Sequence, residues 1–124
     1  MTAAQTRSDK YLINCQDGPA HPERATVSFI LAVAASKTAE VAIFMTSDAA
    51  TLCVKGGADA VVAEGYEPLR DLMLAFVANG GTMWLCPACA KAKGITQNDL
   101  AEGVEIAGAP RTMAFLAAGG KLLA

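Results

Sequence analysis

Charged residues are scarce in this sequence of 124 residues. Asp, Glu, Lys and Arg make up 18% of it, against roughly 25% in a typical soluble domain, and the formal net charge is −2. No cluster of Lys or Arg stands out, which excludes the basic patch that a nucleic-acid-binding protein presents. Because 53% of the residues are hydrophobic, we expect part of the surface to be covered in a homo-oligomer, with a long apolar groove as the alternative.

Long apolar runs are also missing. The longest, around residues 27–35, is interrupted by Ser28 and falls short of the roughly 20 residues that cross a bilayer, so we expect no membrane segment. The N-terminal segment MTAAQTRSDK is polar and lacks the apolar core of a signal peptide. The sequence therefore predicts a cytoplasmic protein with a flexible tail over residues 1–9 and a single domain over residues 10–124.

Metal-binding residues are few. His21 is the only histidine, and Cys86 and Cys89 form the only C-x-x-C pair. A structural zinc site needs four ligands, so Cys15, Cys53 and His21 would have to be gathered by the fold to complete one. In a reducing cytoplasm four cysteines favour free or functional thiols over disulfides. We expect neither a metal nor a cofactor.

Apolar segments alternate between the periods of strands and helices. Predicted strands cover residues 10–15 (KYLINC), 40–45 (EVAIFM), 82–86 (TMWLC) and 104–107; predicted helices cover residues 21–37, 68–78, 96–103 and 110 onward; residues 49–66 are predicted as a loop with some helix. The helix over residues 21–37 has apolar residues around most of its circumference, which predicts burial on nearly all sides. The β-α alternation predicts a three-layer α/β/α sandwich with a mostly parallel sheet.

Polar and sulfur-containing residues follow the predicted strands. They lie in residues 15–18, 46–48, 86–89 and 108–111. Ligands of open α/β sheets bind beyond the carboxyl ends of the strands, so these segments are expected to meet at one edge. The candidate binding residues there are Cys15, Asp17, His21, Thr46 and Ser47. His21 could serve as an acid or base or only begin a helix, and Cys15 could equally be a core residue.

Cys86 is the strongest candidate for a catalytic residue. It ends a strand and opens a turn or helix, so backbone N–H groups would point towards its sulfur and lower the pKa of the thiol. Lys91 and Lys93 follow and could add positive potential. Cys89, one turn further on, is placed to attack or receive a sulfur bound to Cys86.

Three other interpretations of the C-x-x-C pair remain open. Both cysteines could be buried and unreactive, or they could be half of a zinc site. They could also form a thioredoxin-like dithiol. Against the last, the pair follows the third strand rather than an early one, and Trp84 lies two residues before Cys86 rather than beside it.

The stretch GGTMWLCPACAKAKGI resembles the sulfur-relay family known as DsrE/DsrF-like. In that family a glycine pair ends a helix, a hydrophobic strand follows, and a cysteine stands eight residues before a Gly-hydrophobic pair, as Cys86 does before Gly94. The second cysteine, Cys89, is similar to the YchN-like branch. The opening KYLINCQDGP and the strand EVAIFM also resemble the family, so that the resemblance covers residues from about 10 to 120.

This resemblance implies a flavodoxin-like fold assembled into homotrimers or hexamers. It also implies that the cysteine matching Cys86 accepts sulfur as a persulfide and passes it to a partner, such as another sulfur-relay protein. The leading hypothesis is therefore a sulfurtransferase-like persulfide carrier that uses Cys86, with Cys89 resolving or assisting. The alternatives are a non-catalytic, oligomeric binding module and a dithiol redox protein.

Overall fold

The structure, a computed structural model, describes residues 9–124. The tail expected over residues 1–9 lies outside the described residues except for Asp9. The strands are β1 (Lys10–Cys15), β2 (Glu40–Met45), β3 (Thr82–Leu85), β4 (Val104–Ile106) and β5 (Gly120–Leu122). The helices are α1 (Pro22–Ser36), α2 (Leu69–Ala78), α3 (Pro87–Ala92) and α4 (Ala109–Ala117), and the 3-10 segments are η1 (Ser47–Cys53) and η2 (Gln97–Asp99).

The five strands form one sheet in the order β4-β3-β2-β1-β5, and every neighbouring pair is parallel. From β1 to β4 the chain advances one position at each crossover, whereas α4 leads from β4 back across the sheet to β5 beside β1. Because such crossovers are right-handed, this reversal places α4 on the face opposite α1, α2 and α3. The predicted three-layer sandwich with a parallel sheet is confirmed.

The first face of the sheet carries the larger core. Phe29 of α1 and Phe76 of α2 are fully buried, and their rings meet edge to face with centroids 6.1 Å apart, a favourable aromatic geometry. The buried strand residues beneath them are Ile13, Cys15, Val41, Ile43, Met45, Met83 and Leu85. Since alternate residues of a strand face opposite sides, this pattern fixes which side chains remain for the second face.

The second face is covered by α4. Trp84 of β3 lies there with Leu12 and Ala42, and its ring meets Phe115 of α4 edge to face at 5.6 Å. Thr112 is the buried residue of α4, and Met113 is 62% exposed. This layer is thinner than the first, because one helix covers a sheet face that two longer helices cover on the other side.

Helix α1 is less buried than the sequence predicts. Phe29 points into the core, but Val27, Ile30 and Leu31 are 45%, 40% and 37% exposed. The prediction of burial on nearly all sides is wrong for the single chain, because within residues 9–124 α1 packs mainly against the sheet and α2 and leaves these side chains on its outer side exposed. None of the helices within residues 9–124 combines the length and apolar character needed to span a membrane.

The last third of the chain differs from the prediction in two places. The helix predicted over residues 96–103 is wrong: only Gln97–Asp99 is helical, as a single 3-10 turn. The Asp99 carboxylate closes this turn by accepting the Thr96 N–H at 2.8 Å and the Thr96 hydroxyl at 3.0 Å. Strand β5, which the sequence pattern did not predict, pairs Gly120–Leu122 with Lys10–Leu12 of β1.

Candidate functional site

The two cysteines of the C-x-x-C pair lie where successive helices begin to cover opposite faces of the sheet. The connection after β3 leads to α3 on the first face, and the connection after β4 leads to α4 on the second. In open α/β sheets this divergence opens a crevice at the carboxyl ends of the two strands, which is the usual ligand site. Gly108, at the end of β4, lies so close to Pro87 that a Cβ on it would be 3.2 Å from the proline ring.

Cys86 joins β3 to α3. Its N–H donates to the Met45 carbonyl at 3.0 Å and so extends the pairing of β3 with β2, while its own carbonyl accepts the N–H of Ala90 at 2.9 Å, the first bond of the helix. Pro87 occupies the first helical position, where its missing N–H costs nothing. The Cys86 side chain is half-buried, and Pro87 and Ala88 beside it are exposed. The sulfur is therefore fixed by the sheet and still accessible to solvent.

The surroundings of Cys86 lower the pKa of its thiol. The largest single influence, desolvation, raises this pKa, but the N–H of Cys89, the Cys89 side chain and the N–H of Ala88 together outweigh it. The Cys86 side chain does not make a conventional N-cap hydrogen bond. The interactions from Cys89 and Ala88 are therefore weak ones, as expected when sulfur is the acceptor. Lys91 and Lys93, predicted as a source of positive potential, are exposed and are not among the main causes.

Cys89 is held in place by a hydrogen bond from the second residue after the end of β2. The N–H of Ser47 donates to the Cys89 sulfur at 3.3 Å. Ser47 has a φ of 54°, in the left-handed region that a residue other than glycine rarely adopts. Strained backbone of this kind costs free energy and is held in place by the surrounding structure. Ser47 thus combines an unusual backbone conformation with a hydrogen bond to the sulfur of Cys89.

A chain of weak donors therefore links three residues. The Ser47 amide donates to the sulfur of Cys89, and the Cys89 side chain interacts with the sulfur of Cys86. Ser47 was a candidate binding residue in the sequence, but its role as an amide donor was not predicted. A backbone donor leaves no mark in the sequence, and the polar residues after β2 were the only available hint.

Cys15 ends β1 and Thr46 follows β2 at the same edge of the sheet. Cys15 belongs to the core, and Thr46 is half-buried at its border. Thr46 donates its N–H to the Cys15 carbonyl at 3.0 Å. The Cys15 side chain is 1% exposed, and its thiol donates to the Asp17 carbonyl at 3.4 Å. Burial raises the pKa of Cys15 and raises that of Cys53 to about 12. The pKa values of these two thiols are thus shifted in the opposite direction from that of Cys86.

His21 and Asp17 mark the outer end of the same edge. His21 begins α1 and is exposed, and its N–H donates to the Gly18 carbonyl at 2.9 Å. No hydrogen bond within residues 9–124 joins the His21 side chain to either half-buried cysteine. Asp48, which follows β2, accepts the Ala20 N–H at 3.2 Å and so fastens the loop after β1 to the start of η1.

The cysteines have no metal-binding cluster around them in residues 9–124. The part of the chain that the structure describes contains no group of three or more His, Cys, Asp or Glu side chains that could hold a metal ion. A cavity of about 120 Å³ lies elsewhere, between η1, α2 and the segment before β4, and its lining includes Leu52, Met73, Leu74, Val77 and Arg70. The two half-buried cysteines thus lie apart from this cavity, at the carboxyl ends of the strands.

Sequence comparison connects the chain to one family. The profile of the DsrE/DsrF-like family matches residues 9–124. The uncharacterized protein MJ0760 of Methanocaldococcus jannaschii is 34% identical over 115 residues. This match covers 92% of the chain but only 42% of MJ0760, so the chain spans less than half the length of this relative.

Solved structures share the fold. The crystal structure of the ychN protein from E. coli superimposes with a TM-score of 0.77 at 25% identity and covers 93% of this chain and 97% of that one. A protein of unknown function from Methanobacterium thermoautotrophicum, MTH1491, gives a TM-score of 0.61 at 14% identity, with 92% and 95% of the two chains covered. At that identity the second structure shows the fold alone, whereas the first agrees with the resemblance seen in the cysteine motif.

Proposed function

The chain belongs to the DsrE/DsrF-like family, and we propose that it is a small sulfur carrier that accepts sulfur on Cys86 as a persulfide. The observation that carries this proposal is the half-exposed Cys86 thiol with a lowered pKa at the carboxyl end of β3. The thiolate is the nucleophilic form of cysteine. A lowered pKa in an accessible position therefore supports reaction at this sulfur at neutral pH.

The proposed reaction is a transfer of one sulfur atom. The Cys86 thiolate attacks the outer sulfur of a sulfane donor such as thiosulfate. A sulfur–sulfur bond forms at Cys86 while the bond within the donor breaks, and the rest of the donor leaves as sulfite. The resulting persulfide can then pass its outer sulfur to the thiol of an acceptor, and a Cys86 thiolate of low basicity favours that second step as leaving group.

Two features of the chain support the choice of Cys86 among the four cysteines. Cys15 and Cys53 are buried with raised pKa values, so both are expected to be unreactive in the folded chain. Cys89 is half-buried, but its sulfur already accepts the Ser47 N–H and interacts with Cys86. Cys86 is thus the sulfur best placed to meet a donor first.

Intact mass after incubation with thiosulfate tests the proposal. In the Cys89→Ser variant, which keeps a single accessible thiol, we expect the mass of one added sulfur atom, reversed by dithiothreitol. The Cys86→Ser variant should gain nothing, and Cys15→Ser should behave like its parent because that thiol is buried. Equal sulfur uptake by Cys86→Ser and Cys89→Ser would refute Cys86 as the acceptor.

Cytoplasmic location and assembly into a homotrimer or hexamer are parts of the same proposal. The exposed apolar side chains of α1, Val27, Ile30 and Leu31, support an oligomer, because monomers rarely leave such groups uncovered together. Light scattering on the purified chain gives the number of subunits directly. A monomer at micromolar concentration would remove this part of the proposal and leave the sulfur chemistry untouched.

A second candidate is a non-catalytic module that binds a small ligand, and the apolar cavity beside Met73 and Leu74 favours it. Apolar cavities with a few polar groups at the rim are typical ligand sites. In this case iodoacetamide should label the native chain no faster than a free thiol at neutral pH. Rapid labelling confined to Cys86 supports the carrier instead.

A further inference from the structure

We infer that Cys89 resolves the persulfide formed on Cys86, so that the chain releases hydrogen sulfide and is left with a Cys86–Cys89 disulfide. This inference rests on the proposed function, since it starts from the Cys86 persulfide. It adds a product and a second catalytic residue. A pure carrier would hold its sulfur until a partner arrives, whereas this site would discharge it within the chain.

The geometry that carries the inference is the placement of two thiols on one turn of the chain. Cys86 and Cys89 are three residues apart at the start of α3, a spacing that makes side chains neighbours on a helical turn. The Cys89 side chain is accordingly one of the groups that lower the pKa of Cys86. Both side chains are half-buried at the same edge, so a sulfur added to Cys86 is formed beside Cys89.

The Ser47 amide fixes the position of the Cys89 sulfur. Its N–H donates to that sulfur at 3.3 Å, so the end of β2 holds the second thiol within the turn that carries Cys86. A resolving thiol has to be held close to the sulfur it attacks. The hydrogen bond from Ser47 is the contact that holds Cys89 there.

The step balances without a further reactant. The Cys89 sulfur attacks the inner sulfur of the persulfide, which is the one bonded to the Cys86 side chain. The bond between the two cysteine sulfurs forms, the bond to the outer sulfur breaks, and the outer sulfur takes up the Cys89 proton and leaves as hydrogen sulfide. The outer sulfur is reduced and the two cysteine sulfurs are oxidised. A new cycle then requires an external dithiol to reduce the disulfide.

The test measures sulfide and intact mass together, under nitrogen and without added thiol. Thiosulfate is the probe because it delivers its sulfur without itself releasing sulfide. The native chain should release one equivalent of hydrogen sulfide and lose the mass of two hydrogen atoms. The Cys89→Ser variant should release sulfide only at background level and retain the mass of one extra sulfur, and Cys89→Ala repeats the test without a hydroxyl group.

The outcomes separate this inference from the proposed function. A native chain that keeps the extra sulfur and releases no sulfide overturns the inference while the carrier function stands. A disulfide that forms equally without thiosulfate also overturns it, because the pair is then simply oxidised. If neither Cys89 variant gains sulfur, the proposed function itself fails. Circular dichroism of each variant checks that the comparison is made on folded chains.

Discussion

Removing the Cys89 side chain should reduce the ionisation of Cys86 at neutral pH. Three interactions lower the pKa of Cys86 against the opposing effect of desolvation, and one of them comes from the Cys89 side chain. The Cys89→Ala variant loses that interaction but keeps the N–H groups of Cys89 and Ala88. The pKa of Cys86 should therefore rise without losing the whole effect of its position.

The size of the effect follows from the strength of one sulfur hydrogen bond. Hydrogen bonds contribute about 0.5–1.5 kcal/mol net, and a weak thiol donor at a half-exposed site belongs at the lower end, about 0.5–1 kcal/mol. This corresponds to a thiolate fraction roughly twofold to fivefold smaller. The alkylation rate should fall by only about 1.5- to 2.5-fold, because the more basic thiolate is the better nucleophile.

Ultraviolet absorbance of the thiolate as a function of pH is therefore the more sensitive assay. The thiolate is present above the pKa and lost as pH falls through it, so the Cys89→Ala curve should lie at higher pH than the native curve. Subtracting the Cys86→Ser curve from the native curve, and the Cys86→Ser/Cys89→Ala curve from the Cys89→Ala curve, removes the other cysteines and the tyrosines. Cys89→Ser is the matched control: its hydroxyl is a better donor and should keep the curve at or below the native position.

Either of two results would refute this reasoning. Superimposable native and Cys89→Ala curves would mean that the Cys89 side chain does not stabilise the Cys86 thiolate. A shift of the Cys89→Ala curve to lower pH would mean that the thiol raises the pKa of its neighbour instead. In both cases the Cys89 side chain would not stabilise the Cys86 thiolate.

Three further predictions concern stability. Burial raises the pKa of Cys53 from 9.0 to about 12, so just above pH 9.0 only the unfolded chain ionises this thiol. The free energy of unfolding should therefore fall as the pH rises, by about 2 kcal/mol at a pH about 1.5 units above 9.0. Urea unfolding should show a smaller alkaline loss in Cys53→Ala, and equal losses would contradict the assignment. Gly18→Ala places a Cβ 2.2 Å from the Asp48 carbonyl oxygen and should cost about 1–3 kcal/mol in the same assay; an unchanged midpoint would show that the loop gives way. Ser47→Gly suits the φ of 54° and should keep both stability and Cys86 alkylation near native, whereas Ser47→Val should lose a further ~1 kcal/mol or more; equal unfolding midpoints would argue against backbone strain there.

Much of the architecture could be predicted from local patterns. The runs VAIFM and MWL are apolar throughout because helices cover both faces of the strands they belong to. Pro87 directly after the predicted strand marks the start of a turn or helix, so the sequence predicts that Cys86 lies at the strand end. β5 could not be found in this way: Gly120, Lys121 and Leu122 have no strand pattern, and only the partner strand β1 makes them extended.

The details of the site were less accessible than its location. The contact between Ser47 and Cys89 joins residues 42 positions apart through a backbone amide, and no side-chain pattern encodes it. The prediction that α1 is buried on nearly all sides was wrong for a related reason. Val27, Ile30 and Leu31 have the same hydrophobicity whether they face the core or the surface of the chain, so periodicity alone cannot distinguish the two.

The position of β2 and β3 within the sheet has a consequence for how the molecule comes apart. Both are interior strands with neighbours on either side, whereas the edges are formed by β4 and β5 with three residues each. Under mild denaturing conditions the edges should open first, as amide exchange is generally fastest where few bonds must break. The strand ends that hold Cys86 and Ser47 would be among the last to unfold. The Cys86 thiol should therefore keep its reactivity in a chain whose edge strands have already begun to unfold.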